Sequence, residues 1–283
     1  MDNLTNIHLV KEIMERHGFH FSKKLGQNFI INPSICPKIA EMGNAMPGYG
    51  VLEIGTGVGV LTHELAKRAE RVCAVEVDER LLPILAETVG EHKNLNIIHS
   101  DILKCDLNEL LNREFGGLKR AVCANLPYYI TTPILMYLLE SNADIDTITV
   151  MVQKEVADKL EAKVGTREAG AITVAVNFYG TVEKLFSVSR GSFIPAPNVD
   201  SAVIQIRICE EWREKVNDKN QFFKIVRTGF QQRRKTLINA LSGIMGYNKR
   251  DLSELFRTFG ISETIRIEAL SMEELCKLSN ALS

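Results

Sequence analysis

Residues 50–59 read Gly50-Val51-Leu52-Glu53-Ile54-Gly55-Thr56-Gly57-Val58-Gly59. A short apolar run passes here into glycines at alternate positions, which is typical of a buried strand that turns into a helix. Glycines in such a turn let the backbone bend sharply and approach a ligand with no Cβ atom in between. The stretch therefore predicts an open α/β sheet with a ligand loop, including Gly55 and Gly57, at its carboxyl edge.

Further apolar runs alternate with helix-like stretches on the C-terminal side of this loop. They lie at residues 72–77, 96–99, 121–124 and 147–152, and two more strands are predicted at 182–188 and 201–208. Alternation of strand and helix favours a doubly wound parallel sheet, and continuous apolar runs suit strands that are covered on both faces. We predict a Rossmann-like α/β fold with a seven-stranded sheet.

Beyond Glu210 the strand signals stop and helical spacing takes over. One helix face is predicted to carry Phe222, Ile225, Val226 and Phe230, and the other Lys224, Arg227, Gln231 and Arg234 or Lys235. Ser271 and Glu274 have the spacing of a capping box that opens a last helix. The sequence thus predicts two domains, residues 1–209 with the sheet and residues 210–283 as a small all-helical domain.

Charge is unevenly distributed along the chain. The net charge of -1 excludes a chain that is basic throughout, yet residues 219–250 contain eight Lys or Arg and no Asp or Glu. Such a segment favours a polyanionic partner, although a solvated helix face is an equally good interpretation of the charge alone.

The six cysteines are scattered without a C-x-x-C pair, and Cys73 and Cys123 fall inside apolar runs. They are interpreted as small buried residues in a reducing cytoplasm, and no metal site and no disulfide is predicted. Nowhere does the chain contain about 18 consecutive apolar residues, as a membrane-spanning helix would require. We predict a cytoplasmic protein without a membrane segment.

Three acidic residues are expected at the edge of the sheet where the glycine loop lies. Glu76 ends the second strand about 20 residues after the loop, where an acid accepts hydrogen bonds from a ribose hydroxyl. The G-x-G-x-G spacing and Glu53 before it favour S-adenosylmethionine over a dinucleotide, because a carboxylate suits the cationic amino acid end of that donor. Asp101 follows the third strand and is a candidate acceptor for the adenine amine of the donor, with a simple loop or cap residue as the alternative.

The most specific chemistry follows the fourth strand, at Asn125-Leu126-Pro127-Tyr128. The exocyclic nitrogen of adenine is a poor nucleophile, because its lone pair is delocalised into the ring. Two acceptors, the Asn125 side-chain oxygen and the Leu126 carbonyl, would hold the amine hydrogens and localise that lone pair, while Pro127 fixes the turn. The motif predicts methyl transfer to a planar amine without a strong base.

Aromatic residues are expected on both sides of the target base. Tyr128 would supply one flat face, and Phe193, in the proline-rich loop that follows the sixth strand, the other. Stacking contributes about 1–3 kcal/mol per base, which is comparable to the cost of extracting a base from a helix. The alternative is that Tyr128 and Tyr129 are core aromatics beneath a turn.

Four segments resemble the small-subunit ribosomal RNA adenine dimethyltransferases over nearly the whole chain. The matching segments are Lys23-Lys24-Leu25-Gly26-Gln27-Asn28-Phe29, Asn125-Leu126-Pro127-Tyr128-Tyr129-Ile130, the loop Phe193 to Ser201, and Phe230-Gln231-Gln232-Arg233-Arg234-Lys235-Thr236-Leu237.

The resemblance implies a cofactor, a substrate and a set of contacts. The residues that would contact S-adenosylmethionine are Asn28, the backbone of Ile30, Gly55, Glu76, Asp101 and Asn125. The basic segment separately makes Arg227, Arg233, Arg234 and Lys235 candidate RNA-binding residues. The implied product is N6,N6-dimethyladenosine at two adjacent adenosines in a hairpin near the 3′ end of small-subunit RNA. The implied partner is the immature small subunit, bound by a monomer. The loop 165–170 departs from the family pattern, so its RNA contacts are not implied.

Two alternatives remain open at the level of sequence. The sister family that dimethylates one adenine of large-subunit RNA shares the fold and the Asn-x-Pro-aromatic motif, although Leu126, the 193–201 loop and residues 233–237 favour the small-subunit family. The second alternative is a ribosome-assembly factor whose main task is binding, with methylation as a release step.

Overall fold

The computed structural model describes residues 4–22 and 25–283. Its contacts divide the chain into two units, Met1–Ala157 with Glu183–Ile208 and Asp158–Val182 with Cys209–Ser283. Residues 158–182 therefore group with the C-terminal helices, whereas the sequence-based division at 209/210 assigned them to the first domain. Aromatic packing explains the difference, because Phe178 stacks on Phe222 with ring centroids 4.7 Å apart and also contacts Phe223.

The first unit alternates helices and strands along the chain, as predicted. Its elements are α1 (Ile7–Arg16), β1 (Phe29–Ile30), α2 (Ile35–Met42), β2 (Tyr49–Ile54), α3 (Val60–Ala66), β3 (Arg71–Glu76), α4 (Leu82–Thr88), β4 (Leu95–His99), α5 (Leu107–Phe115), β5 (Lys119–Asn125), α6 (Thr131–Glu140) and β6 (Thr147–Gln153). After α7 (Lys154–Glu161) and α8 (Ala171–Tyr179) come β7 (Gly180–Val188), β8 (Phe193–Ile194) and β9 (Ser201–Ile208).

A seven-stranded sheet forms the centre of the first unit, with the order β4-β3-β2-β5-β6-β9-β7. The strands β4, β3, β2, β5 and β6 are parallel to their neighbours, but β9 pairs antiparallel with β6, from Thr147 opposite Arg207 to Gln153 opposite Ser201. The predicted seven strands are confirmed, and the sheet is parallel as predicted except where β9 joins it antiparallel. Between β2 and β5 the direction of winding reverses, and open α/β sheets bind ligands at such a point, beyond the carboxyl ends of the strands.

The central strands are buried along nearly their whole length. Every residue of β2 after Tyr49 is buried, as is every residue of β6 before Gln153, while the edge strand β4 is half-exposed. This pattern explains why the central strands have continuous apolar runs, since helices cover both of their faces. The sheet is thus a rigid platform for the loops that follow its strands.

A second, two-stranded sheet lies within segments that the sequence predicts to be loops. β1 pairs antiparallel with β8, with Phe29 opposite Ile194 and Ile30 opposite Phe193. Each strand has only two residues, which is too short for an alternating pattern to be recognised in sequence. The pairing fixes the segment before Ile31 against the loop that follows β7.

The second unit is helical, with α9 (Lys219–Gln231), α10 (Leu237–Met245), α11 (Lys249–Thr258) and α12 (Met272–Ala281) after α8. Ser271 and Glu274 form the predicted capping box of α12. However, α9 ends at Gln231, and Thr236 caps the next helix by accepting a hydrogen bond from the amide of Asn239. Arg234 and Lys235 therefore lie in a turn, and the prediction that they continue the basic face of α9 is wrong.

Within residues 4–22 and 25–283, no helix is both long enough and apolar enough to cross a membrane. The cysteines are free, and Cys36, Cys73, Cys123 and Cys276 are buried. Burial raises the pKa of the Cys73 thiol to about 12, so this side chain is neutral at physiological pH. The interpretation of Cys73 and Cys123 as small buried residues is confirmed.

Candidate functional site

A cavity of about 440 Å³ opens at the carboxyl ends of β2, β3 and β5. Its wall combines residues 25–30, the glycine loop, the ends of β3 and β5, and the residues that follow β4. The structure brings together at this cavity ten of the predicted site residues: Asn28, Ile30, Gly55, Gly57, Glu76, Asp101, Asn125, Leu126, Pro127 and Tyr128. Lys23 and Lys24, at the start of the first matching motif, lie outside the described residues.

The glycine loop is built from left-handed backbone that disfavours other residues. Gly55, Gly57 and Gly59 have φ angles of 75°, 55° and 91°. A Cβ atom on Gly59 would lie 2.8 Å from Val89, and one on Gly57 would lie 3.1 Å from Phe29. A Cβ atom on Gly55 would meet nothing within 4 Å. Packing therefore requires glycine at 57 and 59, while Gly55 leaves its backbone open to a ligand in the cavity.

Glu76 is buried at the end of β3, and its carboxylate organises the glycine loop. One oxygen, Oε2, accepts hydrogen bonds from the backbone N of Thr56 at 2.8 Å and from Thr56 Oγ1 at 2.9 Å. The other, Oε1, accepts from the backbone N of Asp78 at 2.9 Å. A carboxylate offers about four acceptor positions, so acceptor capacity remains for a ligand hydroxyl. The sequence analysis missed Thr56, whose only signal is a hydroxyl between two loop glycines.

Asp78 connects this acidic corner to the segment that precedes β1. Its carboxylate accepts hydrogen bonds from Arg80 Nε at 2.8 Å, from Arg80 Nη2 at 2.7 Å and from Gln27 Nε2 at 2.8 Å. Hydrogen bonding to Arg80 holds the pKa of Asp78 below its usual value, so the carboxylate remains charged. The Arg80 guanidinium also lies over the Phe19 ring, 5.1 Å from its centroid. These contacts hold residues 25–30 against the cavity.

Asn28 and Asn125 connect the two motifs directly. Asn28 Nδ2 donates to the carbonyl of Gly26 at 3.0 Å, and the carbonyl of Asn28 accepts from Asn125 Nδ2 at 3.2 Å. Because the NH2 group of Asn125 is bound in this way, its amide orientation is set. The acceptor role of its side-chain oxygen stays a prediction, and this orientation is compatible with it.

The residues after Asn125 form a short turn with one tyrosine inside and one outside. The N–H of Leu126 donates to the carbonyl of Met151 at 3.3 Å, which anchors the turn to β6. Tyr128 is half-buried, and its hydroxyl lies 2.6 Å from Ser201 Oγ; burial raises the pKa of this phenol. Tyr129 is 58% exposed. The alternative that both tyrosines are core aromatics is therefore wrong.

Phe193 does not take the position that the sequence predicts for it. Its side chain is only 3% exposed and belongs to the hydrophobic core that also contains Phe29 and Ile30. It is absent from the residues that line the cavity. Pairing of β8 with β1 draws the ring into the core, so in this structure it presents no open face to a base.

Asp101 is a cap residue that also lies at the cavity. Its Oδ1 accepts a hydrogen bond from the N–H of Leu103 at 3.1 Å and so caps a 3-10 turn. Its Oδ2 lies 3.9 Å from Lys104 Nζ, a residue whose side chain is largely exposed. The side chain nevertheless lines the cavity, so the capping role leaves acceptor capacity on the second oxygen.

Glu53 is a fully buried acid at the base of the cavity. Neither carboxylate oxygen makes a hydrogen bond of ordinary geometry with the described residues. Burial raises the pKa of Glu53 to about 8; the Thr62 side chain opposes this shift, and the negative charge of Glu76 adds to it. A buried carboxyl group that is so poorly hydrogen-bonded is costly in its charged form, so it favours a cationic ligand group next to it.

The predicted RNA-binding residues belong to the second unit and differ in their surroundings. Arg227, Arg234 and Lys235 are exposed. Arg233 instead donates a hydrogen bond to the carbonyl of Arg167, and its Nε lies 3.8 Å from Glu268. Arg233 thus holds the 165–170 loop in place, and part of its guanidinium is occupied by contacts within the unit.

Comparisons with known proteins agree with this geometry. The family model "Ribosomal RNA adenine dimethylase" matches residues 18–283. A protein of Geobacillus kaustophilus (strain HTA426), named "Ribosomal RNA small subunit methyltransferase A", is 46% identical over 277 residues, covering 96% of this chain and 94% of that protein. The protein of the same name from Clostridioides difficile (strain 630) is 42% identical over 283 residues, covering 100% of this chain and 98% of that protein.

Two solved structures resemble the chain over most of its length. A dimethyladenosine transferase from Plasmodium falciparum superimposes with a TM-score of 0.73, covering 88% of this chain and 95% of that chain at 22% identity, so it shows the fold alone. The 23S rRNA methyltransferase ErmE superimposes with a TM-score of 0.68, covering 89% of this chain and 98% of that chain at 27% identity. The predicted methyltransferase fold is therefore confirmed.

Proposed function

Because the chain belongs to the ribosomal RNA adenine dimethylase family, we propose that it transfers methyl groups from S-adenosylmethionine to the N6 amines of two adjacent adenosines. We place these adenosines in the hairpin near the 3′ end of small-subunit ribosomal RNA, on immature subunits. The curated relatives that share 46% and 42% identity are named for the small subunit, whereas the 23S rRNA methyltransferase shares only 27%. This difference favours the small-subunit substrate over the large-subunit alternative.

The residues of the cavity fit this donor. Gly55 leaves open space beside its backbone, Glu76 keeps acceptor capacity for ribose hydroxyls, and Asp101 keeps an oxygen for the adenine amine. Glu53 would neutralise the cationic amino acid end. When bound, S-adenosylmethionine would supply an electrophilic methyl carbon, which takes up the nitrogen lone pair while the carbon–sulfur bond breaks and its electron pair stays on sulfur.

The observation that carries the proposal is the orientation of the Asn125 amide, at the edge of the sheet beside the glycine loop. Its NH2 group is held by the carbonyl of Asn28 at 3.2 Å, so its oxygen would accept a hydrogen from the target amine. The Leu126 carbonyl would accept the other hydrogen. With both hydrogens held, the nitrogen lone pair points away from the ring plane toward the donor, and the excess proton leaves to water. Tyr128 would stack on the base.

The proposal is tested by incubating the protein with a labelled donor and either unmethylated small subunits or isolated large-subunit RNA. We expect label only on the small subunit, in N6,N6-dimethyladenosine at two neighbouring positions near the 3′ end. Nuclease digestion followed by mass spectrometry locates the modified residues. Methylation of large-subunit RNA alone would overturn the proposal.

Donor binding is expected to depend on pH through Glu53. The pKa of about 8 means that this carboxyl group is mostly protonated at neutral pH, and a cation held beside it favours the carboxylate. Binding should therefore release a proton near pH 7, and donor affinity should rise with pH up to about 8, by at most about tenfold per pH unit. Calorimetry in buffers of different ionisation enthalpy measures the proton release. The amino group of the donor also titrates, so the pH dependence of donor affinity is compared between the unmodified protein and Glu53→Gln. The variant should lose the contribution of Glu53. Identical pH profiles in the two proteins would contradict the assignment.

RNA binding is expected to use the exposed cations of the turn after α9. Replacing Arg234 and Lys235 by alanine should weaken binding to small subunits and, to a similar extent, to RNA of any sequence. The slope of log Kd against log salt concentration should fall by about one per lost phosphate contact. Filter binding over a salt series measures both quantities. The control is Lys277→Gln, because Lys277 already pairs with Glu273 at 2.8 Å. An unchanged slope in the double variant would show that these residues are only a solvated surface.

A further inference from the structure

Tyr129 is the most exposed large hydrophobic side chain in the described part of the chain, at 58%. It follows Tyr128 in the turn Tyr128–Ile130 and lines the same cavity. A tyrosine ring at the edge of a cavity offers a flat apolar face on which a planar group can stack, while its hydroxyl remains in water. The reaction described above uses Tyr128 but leaves Tyr129 without a role.

The Tyr129 ring is supported from one side by the backbone of Gly26. A Cβ atom on Gly26 would lie 3.1 Å from Tyr129 Cδ1 and 3.4 Å from Cε1, and Gly26 has a φ of 59°. Glycine at this position thus lets the loop backbone pack directly against the ring. Gln27 in turn bonds to Asp78 at 2.8 Å, so the support is itself anchored. A ring held in one orientation before binding loses little entropy when a planar group stacks on it.

We propose that Tyr129 stacks on the nucleotide next to the one whose amine lies at Asn125, and this inference rests on the proposed function. Tyr128 is half-buried, with its hydroxyl 2.6 Å from Ser201, and so serves the base inside the cavity. Tyr129 is the next residue and is exposed, so its ring would stack on the base of the adjacent nucleotide. An RNA strand has a direction, so the outer position holds the neighbour on one fixed side. One of the two adjacent adenosines would occupy it while the other reacts, and a different nucleotide would occupy it in the other reaction. Tyr129 is thus a positioning residue that keeps the RNA in register between methylations.

The test compares Tyr129→Leu, which keeps an apolar side chain without a ring, with Tyr129→Phe, which keeps the ring. Stacking of one base on an aromatic ring changes binding by a factor of about five to more than a hundred. Tyr129→Leu should therefore raise KM for small subunits about tenfold or more, with kcat on the first adenosine and donor Kd unchanged. Dimethylation of the second adenosine should fall, and Tyr129→Phe should behave as the unmodified protein does.

A second measurement is independent of turnover. Hairpin RNA with 2-aminopurine at either adenosine position is titrated with protein, and its fluorescence reports stacking of that base. We expect the outer-position signal to be lost in Tyr129→Leu and retained in Tyr129→Phe. The inference would be overturned if the RNA Kd of Tyr129→Leu were unchanged. It would also be overturned if donor binding weakened as much as RNA binding, because the ring would then be a cofactor contact. Failure of the unmodified protein to methylate small subunits would instead overturn the proposed function.

Discussion

Replacement of Asn125 by alanine should reduce methyl transfer by about 10²- to 10³-fold, while the protein continues to bind small subunits. Removing a single hydrogen-bonding group that acts mainly in the transition state costs about 2.7–4 kcal/mol in other enzymes. The amide oxygen of Asn125 is such a group, because it would hold an amine hydrogen while the nitrogen lone pair forms a bond. Single-turnover experiments with labelled donor on unmethylated subunits measure the rate of this step.

A matched variant separates the two ends of the Asn125 amide. Asn125→Asp keeps acceptor oxygens but loses the donor that binds the carbonyl of Asn28 at 3.2 Å. Its rate should lie between those of the unmodified protein and Asn125→Ala. In both variants the donor Kd should change by less than about tenfold, or 1.4 kcal/mol. Near-normal turnover in Asn125→Ala would reject the mechanism, whereas loss of turnover with full subunit maturation would make binding the principal function.

Much of this site could be predicted because of one property of parallel sheets. The carboxyl ends of neighbouring strands meet at one edge, so polar residues directly after an apolar run are expected to converge. Glu76, Asp101 and Asn125 each end or follow such a run, and all three line the cavity. Local pattern alone was sufficient for these residues.

Other contacts depend on segments that are distant in sequence, and no local pattern indicates them. Burial of Phe193 follows from the pairing of β8 with β1, whose two residues lie more than 160 positions earlier. The hydrogen bond of Arg233 to the carbonyl of Arg167 likewise requires the 165–170 loop to meet the end of α9. A cation or an aromatic ring in a motif is therefore a weak indication of a binding residue, because the tertiary fold can use the same side chain for an internal contact.

Glu76 illustrates how one acid is expected to serve both stability and binding. In Glu76→Ala, the N–H groups of Thr56 and Asp78 would lose their acceptor in a buried location. Each such loss costs about 1–3 kcal/mol. We therefore expect the free energy of unfolding to fall by roughly 2–6 kcal/mol, which denaturant titration measures. Donor Kd should rise about 100-fold or more, because the ribose acceptor and the loop geometry are lost together.

The variant Glu76→Gln distinguishes these two effects, since it retains one acceptor oxygen for the loop but lacks the charge. It should recover only part of the stability, because its NH2 group would face the N–H of either Thr56 or Asp78. It should still bind the donor about tenfold or more weakly, because hydrogen bonds to a charged acceptor are roughly twice as strong as neutral ones. Isothermal calorimetry gives the donor Kd without reference to turnover. Glu79→Gln is the control, because Glu79 is exposed three residues away and should leave both quantities unchanged. If Glu76→Gln binds the donor as tightly as the unmodified protein does, then Glu76 acts only on the glycine loop, and the ribose contact must be assigned to another residue.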